Sequence, residues 1–231
     1  MNALKTLLFS VVASGAVAGT AMAEDGGPTV AFNIGANTDY VFRGISQTDE
    51  GPSIFGGADL TVGKAYAGVW LSNVDFGAGN DTSAEFDIYG GFKPQAGPVA
   101  LDLGLIYYGY TNKPSGPDEA YWEAKVAGSI PAGKATLGAA VYYSPEYFGE
   151  TGEATYFEVN GFVPMNDKVS LSGALGHQSV VGNLDYNTWN LGVGYAATSH
   201  IGFDLRYTDT SEHGFGNYYD SRVVLGVKAT F

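Results

Sequence analysis

The 231-residue sequence contains no cysteine, which excludes disulfides and thiolate metal centres. Charge is scarce: 15% of residues are Asp, Glu, Lys or Arg, against about 25% in a typical soluble domain. Positive charge is scarcer still, with 11 Lys and Arg against 24 Asp and Glu and a net charge of -13, which argues against nucleic acid as a partner. Beyond the N-terminal segment no apolar run approaches the roughly 18 residues of a membrane-spanning helix. What is present is 34 Gly, 16 Tyr and 13 Phe, an aromatic content that disorder does not carry.

The N-terminus reads as an export signal. Lys5 supplies a positive charge, residues 6–20 are small and apolar, and Ala21-Met22-Ala23 precedes Glu24. This is the layout of a cleavable secretory signal peptide. The expected organisation is therefore a signal peptide over 1–23, cut after Ala23, and one domain over 24–231, located beyond the inner membrane.

From Thr29 onward hydrophobicity alternates with a period of two. The pattern predicts twelve strands, at 29–44, 52–62, 65–74, 83–93, 99–110, 120–130, 135–144, 154–163, 169–178, 187–196, 200–208 and 221–231. Most have about the 9–11 residues that a tilted strand needs to cross a bilayer. In the first, Val30, Phe32, Ile34, Ala36, Thr38, Tyr40 and Phe42 share one face. The third is the poorest match, because Tyr66 and Trp70 on one face and Val69 and Leu71 on the other leave both faces apolar. Connections alternate between short turns and longer loops, as in outer-membrane barrels. The predicted fold is all-β: a transmembrane antiparallel β-barrel of twelve strands, outer-membrane type.

Two features assign the apolar face to lipid. Tyr40, Phe42, Tyr107, Trp122, Tyr143, Trp189 and Tyr207 fall near the long-loop ends, while Phe32, Phe92, Tyr195 and Phe231 fall near the opposite ends. Two aromatic bands match two membrane interfaces. The chain also stops on apolar-face Phe231. The expected partners are outer-membrane lipid and lipopolysaccharide, the barrel assembly machinery through Phe231, and small polar solutes.

The segment Asp39-Tyr40-Val41-Phe42-Arg43-Gly44-Ile45-Ser46-Gln47-Thr48 resembles the opening signature of the TorF family of proteobacterial porins, in which an aromatic strand runs into such a loop and then a Gly-rich strand, here Phe55-Gly56-Gly57-Ala58-Asp59. The resemblance implies a pore and no particular substrate.

The polar strand face carries the acids Asp39, Asp59, Glu85, Asp87, Asp102, Glu123, Glu158 and Asp204, and the bases Arg43, Lys93, Lys125, Arg206, Arg222 and Lys228. Of these, Asp39, Arg43, Asp59, Glu85, Asp87, Asp102, Glu123, Lys125, Glu158, Asp204, Arg206 and Arg222 are the expected pore-lining set. Inner-face glycines such as Gly35, Gly138, Gly176 and Gly192 are expected to keep the lumen open. The same charges also fit a lumen closed by salt bridges. Arg43 is expected at the outer end of strand 1, near Arg222, facing Glu85, Glu123 and Asp39 across a constriction. The long loops hold Asp49, Glu50, Asp75, Asp81, Asp118, Glu119, Glu146, Glu150, Glu153, Asp185, Asp209, Glu212 and Asp220 against Lys113 alone. Such a mouth concentrates cations, so the expected function is a passive channel for small polar solutes or ions with a weak cation preference.

Two alternatives remain open. His177 and Ser179 share the lipid face at the outer rim, in the spacing of outer-membrane lipid hydrolases, with Asn183, Asp185 or Asn187 to orient the histidine. A structural or adhesive barrel would use the loops Thr111–Glu119 and Asp209–Asp220 as its contact surface. The histidines His177, His200 and His213 lie on separate segments without metal-ligand spacing. No cofactor or metal is expected, and enzymatic activity is not.

Overall fold

A computed structural model describes residues 27–182 and 184–231. The expected signal peptide lies outside them. Twelve long strands form the barrel: β1 (Thr29–Asn37), β2 (Ser53–Val62), β3 (Ala65–Asn73), β4 (Ala84–Phe92), β5 (Val99–Thr111), β6 (Tyr121–Ala132), β7 (Ala135–Ser144), β8 (Ala154–Pro164), β9 (Val169–Val180), β10 (Tyr186–Ala196), β11 (Ile201–Thr210) and β12 (Arg222–Thr230). Each pairs antiparallel with its sequence neighbours, and β1 pairs with β12, Asn33 opposite Thr230 and Asn37 opposite Gly226. The ladder is closed, so no strand edge is left open, as backbone in hydrocarbon requires.

The alternation sorts side chains as its period dictates. Ile54 is 67% exposed, Leu191 64% and Phe231 69%, while inward Ser53, Glu85, Glu123, Ser144 and Gln178 are buried. An exposed apolar belt around a polar interior inverts the usual globular arrangement and suits a lipid surround. Trp122, Tyr143 and Tyr207 point outward at the loop end, and Phe32, Phe92 and Tyr195 at the turn end. Both faces of β3 are apolar for a physical reason: Val69 and Leu71 face out, whereas Trp70 packs inside against Tyr40 and Phe55.

The first expected strand is corrected. Strand β1 ends at Asn37, not at residue 44. The chain then turns into the barrel and forms a small hairpin in which Val41 pairs with Ser46 and Phe42 with Ile45. Arg43 and Gly44, the two residues between, have φ of +47° and +84°, the two positive values that a two-residue type I′ turn requires. Tyr40 and Phe42 therefore do not join the outer aromatic band; Tyr40 is buried in the interior. Strand β9 runs on to Val180, so Ser179 lies in a strand, and Asp209 belongs to the end of β11 rather than to a loop.

The inward glycines are also corrected. They are not empty wall but seats for neighbouring side chains. A Cβ on Gly176 would lie 2.2 Å from the Tyr156 hydroxyl, one on Gly35 2.4 Å from the Phe55 ring, and one on Gly192 2.6 Å from the Arg206 guanidinium carbon. The missing side chains let large ones lie flat along the wall.

Candidate functional site

The hairpin at residues 41–46 projects into the loop end of the barrel and is held from several sides. At its base, Asp39 Oδ1 accepts hydrogen bonds from the Ser46 and Thr48 hydroxyls at 2.8 and 3.0 Å, and Asp39 Oδ2 pairs with Arg222 Nη1 of β12 at 2.7 Å. Arg222 also donates to the carbonyls of Asn217 and Tyr218 in the last loop. The Tyr40 hydroxyl donates to Glu85 of β4 at 2.8 Å. The Asp75 amide donates to the Gln47 carbonyl at 2.8 Å, tying the segment to the second long loop.

At the tip, Arg43 grips Glu123 of β6 with both terminal nitrogens, at 2.8 and 2.7 Å, and donates to Gln178 of β9 at 3.0 Å. Its guanidinium lies over three rings, Tyr156 at 4.3 Å, Phe42 at 4.7 Å and Tyr142 at 4.9 Å. The Arg43 side chain is fully buried. A left-handed backbone at a bulky residue persists only where its surroundings impose it, and such strain clusters at functional sites. Gly44 is required by space as well as by φ: a Cβ there would meet Thr210 at 2.6 Å and Thr188 at 2.7 Å. Around the hairpin, Tyr108 stacks on Tyr121 with centroids 4.5 Å apart, and Tyr121 meets Tyr147 at 4.8 Å.

All twelve of the charged residues expected to line the pore carry their side chains on the inner side of the barrel wall or, for Asp39 and Arg43, on the inserted segment. The charges are arranged in local pairs. Arg43 faces Glu123, as expected, and Arg222 faces Asp39. Four ion pairs form among the twelve: Arg43 with Glu123, Arg222 with Asp39, Lys125 with Asp102 at 2.7 Å and Arg206 with Asp204 at 3.1 Å. Arg206 also donates to Asn190 and Ser172. Asp59 accepts from Tyr89 at 2.6 Å, and Asp102 from Tyr66 at 2.7 Å. Glu158 accepts from Tyr156 at 3.2 Å and Asn160 at 2.9 Å. Asp87 keeps one buried oxygen without a partner. Gln178, Tyr142 and Tyr156 complete the Arg43 seat and were not among the expected site residues; only their place on the inner face of the alternation pointed to them.

Between the hairpin and the wall built by β8 and β10 to β12 lies a small cavity, with about 30 Å³ of room for the centres of water molecules. Arg43, Gly44, Glu158, Asn190, Asp204 and Arg206 are among its lining residues.

On the lipid face, His177 Nδ1 lies 3.0 Å from Asn187 Oδ1. Among the described residues no hydrogen bond joins His177 to Ser179, and Asp185 instead accepts from the Val180 amide at 2.8 Å. Asn183, the third residue expected to orient His177, lies outside the described residues. In the last loop, His213 Nε2 lies 2.8 Å from Asp209 Oδ1, with Asp220 at 3.9 Å from its other ring nitrogen. The hydrogen bond to Asp209 raises the His213 pKa above the ordinary histidine value.

A closed twelve-strand antiparallel barrel with an apolar belt, a polar interior and an inserted segment defines a transmembrane barrel of the outer-membrane porin type. The chain belongs to the Gcw_chp family, described as bacterial proteins of unknown function, whose model matches residues 21–231. A search of curated protein sequences gives no match. Among solved structures, the chain is similar to the KdgM porin, with a TM-score of 0.62 and 9% identity over 87% of this chain and 99% of that one. It is similar to the NanC porin, with a TM-score of 0.57 and 9% identity over 88% and 99%. It is also similar to outer membrane phospholipase A from Escherichia coli, with a TM-score of 0.51 and 10% identity over 87% and 89%.

Proposed function

We propose that the protein is an outer-membrane channel through which small polar solutes or ions diffuse passively, narrowed at its outer end by the inserted hairpin. The observation that carries this reading is the cavity between that hairpin and the wall of β8 and β10 to β12, into which the polar side chains Glu158, Asn190, Asp204 and Arg206 face. The fold shared with the KdgM and NanC porins supports it, as does the resemblance of residues 39–48 to the TorF porins. One structure of the KdgM porin is a complex with disordered oligogalacturonate; for the present chain the solute class follows from its own lining. The twelve charged interior residues form the wall of the path, and the acidic loops give it a weak preference for cations. Export by a signal peptide cut after Ala23, and recognition of Phe231 by the assembly machinery, complete the reading.

Planar-bilayer recording of the refolded protein under a salt gradient tests it. Discrete conductance steps with a reversal potential on the cation side are expected; a silent barrel or an anion-selective one counts against it.

A further inference from the structure

We propose that the passage contains a binding station for ammonium groups, centred on Glu158, and that this station rather than the acidic mouth sets which solutes dwell in the barrel. The proposal rests on the channel reading for its role in transport, but not for binding itself.

Three carboxylates line the cavity: Asp39, Glu158 and Asp204. Two are already neutralised by a basic neighbour, Asp39 by Arg222 and Asp204 by Arg206. Glu158 has no ion pair among the described residues. Its two oxygens each accept one hydrogen bond from a neutral donor, the Tyr156 hydroxyl and the Asn160 amide. A carboxylate has about four acceptor sites, so two neutral bonds orient Glu158 while leaving acceptor capacity, and the Arg43 and Arg206 guanidiniums act on its charge only through space, without a direct ion pair among the described residues. Glu85, also without an ion pair among the described residues, is buried and closed off by the Tyr40 hydroxyl. Glu158 is half-buried on the inner face of β8 and open to the cavity.

The surroundings favour an ammonium over a metal ion. Calcium and magnesium sites draw on several oxygen ligands, often more than one of them a carboxylate. Here the other polar lining groups include the Thr188 and Thr208 hydroxyls. Thr188 donates its proton to the Asp209 carbonyl at 3.2 Å and so presents its oxygen as an acceptor. An ammonium has three donors and no acceptor, and one charge with neutral oxygens beside it suits that group. The two guanidinium groups of the cavity, on Arg43 and Arg206, are each held by their own carboxylate. Apart from buried Glu119 and Asp209, the mouth acids are open to solvent, where salt screens beyond roughly 8 Å. Glu158 lines the cavity itself.

The test uses 1,4-diaminobutane on the full-length refolded barrel and its E158Q and E158D variants. The wild type is expected to bind the diamine in detergent micelles by calorimetry and to show block of its potassium current by it. E158Q should weaken binding and block about tenfold or more and move the reversal potential toward zero, while E158D, which keeps the charge, retains most of both. The heat-dependent shift in electrophoretic mobility reports that each variant is folded. Diamine binding that survives E158Q, or a conducting wild type that neither binds the diamine nor is blocked by it, overturns the site. A barrel that is silent in the bilayer but binds the diamine in a Glu158-dependent way upholds the site and removes the channel reading instead. Equal block by a neutral sugar of the same length assigns the cavity to polyols and overturns the ammonium assignment.

Discussion

Arg43 and Glu123 lie eighty positions apart in the chain and meet through two hydrogen bonds of 2.8 and 2.7 Å, with both side chains shut away from solvent. That pair pins the tip of an inserted hairpin to the opposite wall of the barrel. Removing one partner of a buried pair leaves a charge without compensation and costs about 3–5 kcal/mol. Arg43→Ala is therefore expected to lower resistance to urea unfolding by that order. The same variant should raise single-channel conductance, because the hairpin loses its anchor. Glu123→Ala added to it should restore part of the stability without restoring the narrow state. Equal conductance in all three proteins would show that the hairpin does not gate the path.

The lipid-facing assignment is tested at Leu205, which lies mid-strand on β11 between Val193 and Leu225 and is 51% exposed. Leu205→Lys should destabilise the folded barrel by about 2–4 kcal/mol in reversible folding into vesicles. A change near zero would place this face in water.

The pH dependence of the last loop follows from His213. Its folded pKa is raised by the hydrogen bond to Asp209. A raised value means that the stabilisation is fully present below the unfolded histidine pKa, about 6.5. It is lost as pH rises through the folded value. The contact between residues 209 and 213 should thus be strongest in mild acid and loosen as pH rises through that raised value. Ring-proton titration by NMR checks this, and Asp209→Asn should return the His213 midpoint toward the ordinary value.

The hydrolase alternative has its own measurement. Asn187 holds the His177 ring, but no hydrogen bond links that ring to Ser179. A serine nucleophile needs its base within reach. The purified protein is expected not to react with a fluorophosphonate probe in detergent or in lipid. Labelling that disappears in Ser179→Ala would reverse this expectation.

Most of the strand positions were legible because the side-chain period of a strand is two and lipid and lumen impose opposite polarities on it. The signal fails where a non-local event overrides it. Val30 to Phe42 keep an unbroken apolar alternation, so nothing in the period says that the chain leaves the wall after Asn37. The local clue was Arg43-Gly44 between two short apolar stretches, a turn dipeptide whose positive φ values show only in the folded chain. The partners of Arg43 are farther still from view. Glu123 and Gln178 come from β6 and β9, and only closure of the barrel brings them together. The inner glycines carried a correct face and an incorrect meaning, because periodicity says where a residue points and not which neighbour fills the space beside it.

The bond from Arg222 to Asp39 spans 183 positions and joins the first inserted segment to the opening residue of the last strand. It has no counterpart in an incomplete sheet. Until β12 has docked along β1, the hairpin lacks its basal tether. Contacts of such separation form late, after the chain entropy of closing the loop has been overcome. The tether at the base of the hairpin is thus set only as the barrel closes, after contacts such as Arg43 with Glu123 are within reach. A chain arrested before its last strand is in place would be both unsealed and untethered, a leak in the envelope as well as a folding failure.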